Sequence, residues 1–414
     1  MNKVDIVICG GGMVGLTLGL AAAQGGLKVA VVDALAPEKV LDAKFDGRVS
    51  ALAYASVRML TALEVWPHLK NHAQPINEIL VTDGKEDAPA SPFSLHFDSR
   101  ELGAQALGHI AENRHIRAAL YAAMPKSLAL IAPATVTRLE TRPGHVTAHL
   151  SNGDSIEAAL AIAADGRDSK LRAAQNIGVI GWSYPQTGIV ATVAHERPHH
   201  GVAYEHFLPA GPFGILPMTG NRSSLVWTEQ AEKAPAMLAL DEAGFDLEVA
   251  RRFGPHLGAT KVAGFNDGAH PRLGRWSYPL SFHLARDFVR PRFALAGDCA
   301  HGIHPIAGQG LNLGLKDAAA LAETLLDAAR LGRDIGALDT LKRYERWRRF
   351  DSLALAASTD ALNRLFSNDI APLRHLRDLG LGIVDAIGPA RRFFMRHAGG
   401  DVGKLPRLLK GELA

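Results

Sequence analysis

Cysteine is nearly absent. The 414 residues contain two, Cys9 and Cys299, and they form no C-x-x-C pair. That excludes a disulfide framework and suits a reduced, cytoplasmic setting. An excess of either charge is also missing: 45 Lys and Arg stand against 42 Asp and Glu, a net charge of +3. Such a balance gives no argument for nucleic acid. With 47% hydrophobic and 21% charged residues, the chain has too much apolar surface to be a disordered one. No uncharged apolar run reaches the ~18 residues a bilayer-spanning helix needs. The opening MNKVDIVICGGG has a short apolar stretch leading into glycines, and is expected to be a first strand and not a signal peptide. The expectation is a globular protein of two or three domains, soluble or at most peripheral to a membrane.

What is present is a series of apolar runs that end in glycine or acid. Val4 to Cys9 reads as a buried parallel strand. Gly10, Gly12 and Gly15 follow in G-x-G-x-x-G spacing. Residues 16–24 read as a helix stopped by Gly25-Gly26, and 28–32 as a second strand ending at Asp33, 18 residues after Gly15. This is a complete strand–helix–strand unit. Gly10 permits a tight turn, Gly12 lets backbone approach a pyrophosphate, and Gly15 lets helix pack closely on strand. The helix N-terminus offers N–H groups to phosphate, and Asp33 is placed to accept from ribose hydroxyls. The unit alone serves FAD and NAD equally.

Two further runs narrow the choice. Residues 160–163 lead into Ala164-Asp165-Gly166, and 293–296 into Gly297-Asp298-Cys299. An acid directly after a buried strand, three times in one chain, calls for polar partners. Asp298 is a candidate for the ribityl hydroxyls of a flavin. The segment Gly308-Gln309-Gly310-Leu311-Asn312 opens a helix that runs to Gly332. Its N-terminal N–H groups would stabilise negative charge on the pyrimidine edge of a reduced flavin.

These segments together resemble the aromatic-hydroxylase class of single-component flavin monooxygenases. More narrowly, the stretch His304-Pro305-Ile306-Ala307-Gly308-Gln309-Gly310-Leu311-Asn312-Leu313-Gly314-Leu315-Lys316-Asp317 resembles the signature of the FAD-dependent ubiquinone-biosynthesis hydroxylases. Arg48 in DGRVSALAYASVRML, Glu112-Asn113-Arg114, and FLPAGPFGILPM followed by SSLVWT are similar as well. The resemblance implies an α/β fold: a Rossmann-like FAD domain of the glutathione-reductase type, an inserted β-sheet substrate domain, and a C-terminal helical region. It implies that Gly10, Gly12, Gly15 and Asp33 hold the ADP half of FAD, with Asp33 in place of the usual Glu. Arg48 and Asn113 would contact the diphosphate or ribityl region. Asp165 and Gly166 would meet both FAD and NAD(P)H. Gly297 and Asp298 would bind the ribityl chain, and Pro305, Gly308, Gly310, Leu311 and Asn312 would line the isoalloxazine.

The resemblance further implies a monooxygenase that hydroxylates the ring of a polyprenylated ubiquinone precursor through a flavin C4a-hydroperoxide. O2 is the co-substrate, and NAD(P)H or a partner reductase supplies electrons, since no second G-x-G-x-x-G exists for a resident nicotinamide. His304, Pro305, Gly308 and Gln309 are expected around the ring. No side chain is singled out as a base to ionise a phenol; Tyr204, Glu205, His206 and Trp227 lie in strands that could face it. The FAD domain is expected to use 1–70, 100–180 and 276–335, the substrate domain 71–99 and 181–275, and the helical region 336–414. Strands are expected at 202–208, 213–217 and 224–229, and helices at 338–366, 370–386 and 389–397.

Other features admit plainer readings. His301 and His304 are three apart, but they sit inside the flavin signature and have no evident third ligand, so no metal is expected. Cys9 and Cys299 read as buried strand-end residues. The stretch KRYERWRR (342–349) reads as a solvated helix face. From residue 370 onward eight Lys or Arg stand against four Asp or Glu, and RRFFMRH (391–397) mixes bases with large apolar groups. That combination suits a membrane surface or a partner in quinone biosynthesis. Two rival functions stand beside the hydroxylase. One is a flavin enzyme for another lipid or aromatic compound, although the W-x-W-x-I-P motif of halogenases is lacking. The other is a catalytically silent flavoprotein scaffold.

Overall fold

The computed structural model describes residues 2–42, 47–84, 94–103, 106–263, 274–368 and 371–414. Residues 85–93 and 264–273 of the expected substrate domain, and Asp46 of the Arg48 segment, lie outside the described residues.

The parallel core comes first. Asn2–Cys9 pairs with Val29–Val32 on one side and Ser155–Ala163 on the other. Leu128–Ile131 extends the sheet beyond Val29–Val32, and Phe293–Leu295 extends it beyond Ser155–Ala163. Their buried stretches are unbroken apolar runs, Ile6 to Cys9, Val29 to Val32, Leu160 to Ala163 and Phe293 to Leu295, as expected where both faces are covered. The Met13–Gln24 helix is apolar nearly all round, because the sheet lies on one side and the Gly310–Arg330 helix on the other. Gly314 permits that approach: a Cβ there would stand 2.6 Å from Val14 Cγ2. The helix expected from residue 16 starts at Met13, inside the glycine loop, and the strand expected at 160–163 reaches back to Ser155.

A mostly antiparallel sheet of nine strands, among the described residues, forms the second layer. Its central strands are Val179–His195, Arg222–Gln230, Gly211–Met218 and Val202–Leu208. Residues alternate between its two faces. One face lies under the helices Ala234–Ala239 and Glu242–Phe253, where Phe213, Ile215, Leu225 and Trp227 meet Phe245, Val249 and Phe253. On the other, Ala203, Phe207 and Leu216 meet Val49, Ala51 and Ile110 of a small sheet. That sheet consists of Val49–Ala53, Gly108–Glu112 and Ala73–Ile76. The strand at 202–208 has the expected bounds, whereas those at 213–217 and 224–229 extend to Gly211–Met218 and Arg222–Gln230. The expected domain boundary at 276 falls inside Arg275–Ala285, which pairs with Val179–His195 in this second sheet.

The helices Leu338–Phe366, Ala371–Ala386 and Gly388–Ala398 agree with the sequence reading to within one residue at either end. The solvated face expected at 342–349 is carried by Arg343 and Arg346, but the same stretch also has an inward face. Tyr344 and Arg348 are fully buried and Glu345 nearly so. The reason is a set of polar contacts on the parallel core. The Tyr344 hydroxyl donates to the Leu295 carbonyl at 2.8 Å, Glu345 accepts from the Phe288 N–H at 2.8 Å, and Arg348 pairs with Asp317. A charge run in sequence conceals which of its members point inward.

Candidate functional site

Three motif-bearing strands end side by side. Asn2–Cys9, Ser155–Ala163 and Phe293–Leu295 are consecutive neighbours, and backbone bonds continue just past their ends: Ala164 N–H to the Cys9 carbonyl at 2.8 Å, and Ala296 N–H to the Ala163 carbonyl at 3.0 Å. The glycine loop, Asp165-Gly166 and Gly297-Asp298 therefore converge at the carboxyl ends of the strands, where open α/β sheets bind ligands. Segments far apart in sequence meet because the parallel register demands it.

The glycine loop is shaped by backbone contact. Gly10 has φ +115°, and a Cβ there would lie 2.3 Å from the Ala164 carbonyl oxygen; a Cβ on Gly15 would lie 1.9 Å from the Gly10 carbonyl oxygen. Gly12 differs, because a Cβ there would meet nothing within 4 Å. It caps the Met13–Gln24 helix and faces open space, so the first N–H groups of that helix form a cradle for an anion. Asp33 accepts from Gly11 N–H at 2.6 Å and Leu35 N–H at 2.8 Å. Each carboxylate oxygen keeps lone-pair capacity for a ribose hydroxyl. The side chains of Asp165 and Asp298 are exposed, and among the described residues neither is held by a hydrogen bond.

The second cradle is the start of the Gly310–Arg330 helix, at 21 residues long enough to carry a substantial dipole. Its first internal bond is Leu313 N–H to the Gln309 carbonyl at 3.0 Å, which leaves the preceding N–H groups for a ligand. Ahead of it, Pro305 closes a tight turn by accepting from Gly308 N–H at 2.9 Å. The Asn312 side chain is engaged within the protein. Its Oδ1 accepts from Ala53 N–H and Ser56 Oγ, and its Nδ2 donates to the Ala51 carbonyl. Asn312 thus fastens this helix to the Val49–Ala53 strand, and only its backbone stays open. Gln309 donates to the Ala398 carbonyl at 3.1 Å. His304 is fully buried, and its Nε2 has no hydrogen-bond partner among the described residues. Burial pushes it down to about 4, so the ring is neutral at neutral pH. Arg48 and Asn113 are neighbours: the Asn113 N–H donates to the Arg48 carbonyl, and its Oδ1 accepts from Ser50 Oγ.

Sequence reasoning missed the brace beneath these loops. Asp317 ends the signature and was assigned no role. It is fully buried; it accepts from Gly297 N–H at 2.9 Å and Arg348 Nε at 2.7 Å, and meets His301 Nε2 at 2.6 Å. Burial alone would raise its carboxyl, but His301 and Arg348 together hold it below the usual carboxylate range. The Gly297 bond fixes the turn, with φ +72°, that presents Asp298. A signal existed in the acid closing an otherwise apolar helical segment, but its partner Arg348 lies 31 residues further on.

Register sorts the four side chains named in the second sheet. Tyr204 and Trp227 belong to the cluster beneath the Glu242–Phe253 helix. His206 has the parity of Tyr204, and its Nδ1 meets Thr82 Oγ1 at 2.6 Å. Glu205 alone has the parity of Ala203 and Phe207, which face the small sheet carrying Val49 and Ala51. It is partly buried, and burial pushes its carboxyl up to about 7.

The donors fit FAD: two open helix N-termini, an acid for a ribose and two exposed acids, all at one end of the parallel sheet. Comparisons with known proteins agree. The chain is 48% identical over 413 residues to a protein called ubiquinone hydroxylase UbiL from Rhodospirillum rubrum, spanning 98% of this chain and 92% of the relative. It is 34% identical to the 3-demethoxyubiquinol 3-hydroxylase of Escherichia coli, spanning 96% and 98%. The fold matches p-nitrophenol 4-monooxygenase PnpA from Pseudomonas putida with a TM-score of 0.78 at 18% identity, over 98% of this chain and 100% of that one. The FAD binding domain family model matches residues 3–353, and the chain belongs to that family, as an FAD-dependent monooxygenase.

Proposed function

We propose that this protein hydroxylates the aromatic ring of a polyprenylated ubiquinone precursor, with FAD held at the three strand ends, one oxygen atom taken from O2, and electrons from NAD(P)H or a partner reductase. The observation that carries the reading is the convergence of the three motifs beneath two open helix N-termini. The substrate class follows from the relatives, which are named for ubiquinone and 3-demethoxyubiquinol hydroxylation.

When bound, the flavin would supply two-electron reduction and oxygen activation. The chain's own residues do the rest. Gly10, Gly12 and Gly15 shape the loop whose N–H groups bind the diphosphate, with Arg48 and Asn113 beside the ribityl–diphosphate region. Asp33 accepts from the ribose. Asp165 and Gly166 would meet both FAD and NAD(P)H, and Gly297 and Asp298 would hold the ribityl chain. Pro305, Gly308, Gly310 and Leu311 would line the ring with backbone and help exclude water from it. The N-terminus of the Gly310–Arg330 helix stabilises negative charge there. The domain division proposed is 1–70, 100–180 and 276–335 for FAD, 71–99 and 181–275 for substrate, and 336–414 helical, with the paired strand Arg275–Ala285 moved to the substrate side.

A prenylated substrate resides in lipid, and the Gly388–Ala398 helix suits a peripheral contact. Phe393 and Phe394 are about half exposed beside exposed Arg392 and Arg396, while Met395 is buried in the cluster that holds Ala203 and Phe207. No helix among the described residues is long and apolar enough to cross a membrane.

The reading is tested by mass spectrometry of quinone intermediates in a strain lacking this protein, complemented with wild type or Asp298→Ala. An under-hydroxylated prenylated ring that accumulates, and is cleared by wild type only, is the expected result. A normal quinone pool, in a strain with no second hydroxylase, would overturn it.

A further inference from the structure

The nine-stranded sheet has one face toward the small sheet, and Glu205 stands on it in a cross-strand row. Glu205 lies opposite Gly214, Gly214 opposite Val226, Val226 opposite Val190, and Val190 opposite Trp276. Directly opposite residues share a face, so a single carboxylate sits in a row of small and apolar groups. A Cβ on Gly214 would come within 3.1 Å of Glu205 Oε2; the glycine is what gives the carboxylate its room. Across from this face are Val49 and Ala51. Ala51 touches the flavin-side loop, since a Cβ on Gly308 would lie 3.1 Å from the Ala51 Cβ, and its carbonyl accepts from Asn312.

Among the described residues Glu205 has neither a hydrogen-bond partner nor an ion-pair partner. A partly buried carboxylate without a protein partner keeps its hydrogen-bonding capacity for a ligand. Among the described residues, two other charged groups on this face are matched. Arg222 pairs with Glu112 at 3.1 Å, and Arg377 with Asp83 at 2.8 Å. Tyr278, two residues along from Trp276, has its hydroxyl pushed up by burial and stays neutral. Tyr204, His206 and Trp227 point to the opposite face.

We propose that Glu205 is the catalytic base that takes the proton of the substrate's ring hydroxyl. This rests on the hydroxylase reading and names the residue that reading lacked. The O–H bond of the phenol breaks, its electron pair stays on the ring oxygen, and the proton goes to a Glu205 carboxylate oxygen. The ring gains electron density at the positions ortho and para to that oxygen, which is what an electrophilic oxygen atom attacks. When the product forms, the hydrogen on the attacked carbon leaves as a proton, the C–H electron pair restores the aromatic ring, and the ring oxygen takes its proton back from Glu205, so the carboxylate is regenerated.

The test is single turnover with the holoprotein, its FAD reduced chemically, mixed with O2 and a phenol bearing a short prenyl chain, from pH 5.5 to 9. Wild type should lose rate as pH falls through about 7, because the base becomes protonated. Glu205→Gln should keep its full FAD absorbance, turn over on the order of 100-fold more slowly, and lose that acid limb. Glu205→Asp should recover the limb with part of the rate. An infrared titration without substrate should show a carboxyl band that titrates near neutrality in wild type and is missing in Glu205→Gln. Wild-type hydroxylation with Glu205→Gln equally fast and the acid limb intact would overturn the proposal alone. No hydroxylation by FAD-replete wild type would overturn the hydroxylase reading, and this proposal with it.

Discussion

The flavin end and the substrate face differ in which part of the chain would touch a ligand. At the strand ends, recognition is mostly by backbone: N–H groups of two helix N-termini, the first shaped by Gly10 and Gly15, which tolerate no Cβ, and opened by Gly12, which faces open space. On the nine-stranded sheet it is by side chains, and their direction is set by register. Backbone recognition leaves a mark in sequence, because only glycine satisfies it, at fixed spacing. Side-chain recognition leaves almost none, because Tyr204, Glu205, His206 and Trp227 look equally eligible until pairing separates them. Mutations should therefore act differently at the two ends.

The largest effect is expected beneath the flavin end. Arg348→Ala leaves Asp317 charged and buried, and should cost about 3–5 kcal/mol in urea unfolding, with FAD content falling as the Gly297 turn loosens. Next is a contrast within the glycine loop. Gly15→Ala meets the Gly10 carbonyl and should cost ~1–3 kcal/mol of stability as well as FAD. Gly12→Ala meets nothing and should lower FAD occupancy at an unchanged melting temperature of the FAD-free protein. Equal losses from the two substitutions would break the distinction between packing glycine and binding glycine.

The substrate face is sharpened by neighbours of opposite parity. Val226→Phe should raise KM for the prenylated phenol with FAD content unchanged. Trp227→Phe, on the helix-covered face, should lower stability and leave KM alone. The smallest effect is a pH dependence. The folded-state pKa of Glu205 is raised to about 7, so the folded state prefers it protonated, and stability is lost as pH rises from the ordinary Glu range through 7. Glu205→Gln should therefore stabilise the FAD-free protein by on the order of 1 kcal/mol at pH 8, a partly solvated group being screened, and by nothing at pH 4. A gain of equal size at both pH values would contradict this.

Much of the fold was legible. Strand-to-glycine transitions placed the parallel core, and the C-terminal helices appeared at nearly their full lengths. The residues that failed to read did so for one reason: their roles depend on partners distant in sequence. Arg348 looked solvated because Asp317 lies a helix away, and the fastening role of the Asn312 side chain was hidden because Ala51, Ala53 and Ser56 are more than 250 residues off. Glu205 was indistinct because parity shows only once the strands are paired.

The central claim is that this chain inserts an oxygen atom from O2 into a prenylated phenolic ring. Its most direct test is mass spectrometry of the product formed by the FAD-loaded protein under isotopically labelled O2. The account predicts one labelled oxygen per product ring, in an amount matching the reduced flavin consumed. Unlabelled product, or complete flavin reoxidation with hydrogen peroxide and no hydroxylated ring, would contradict it.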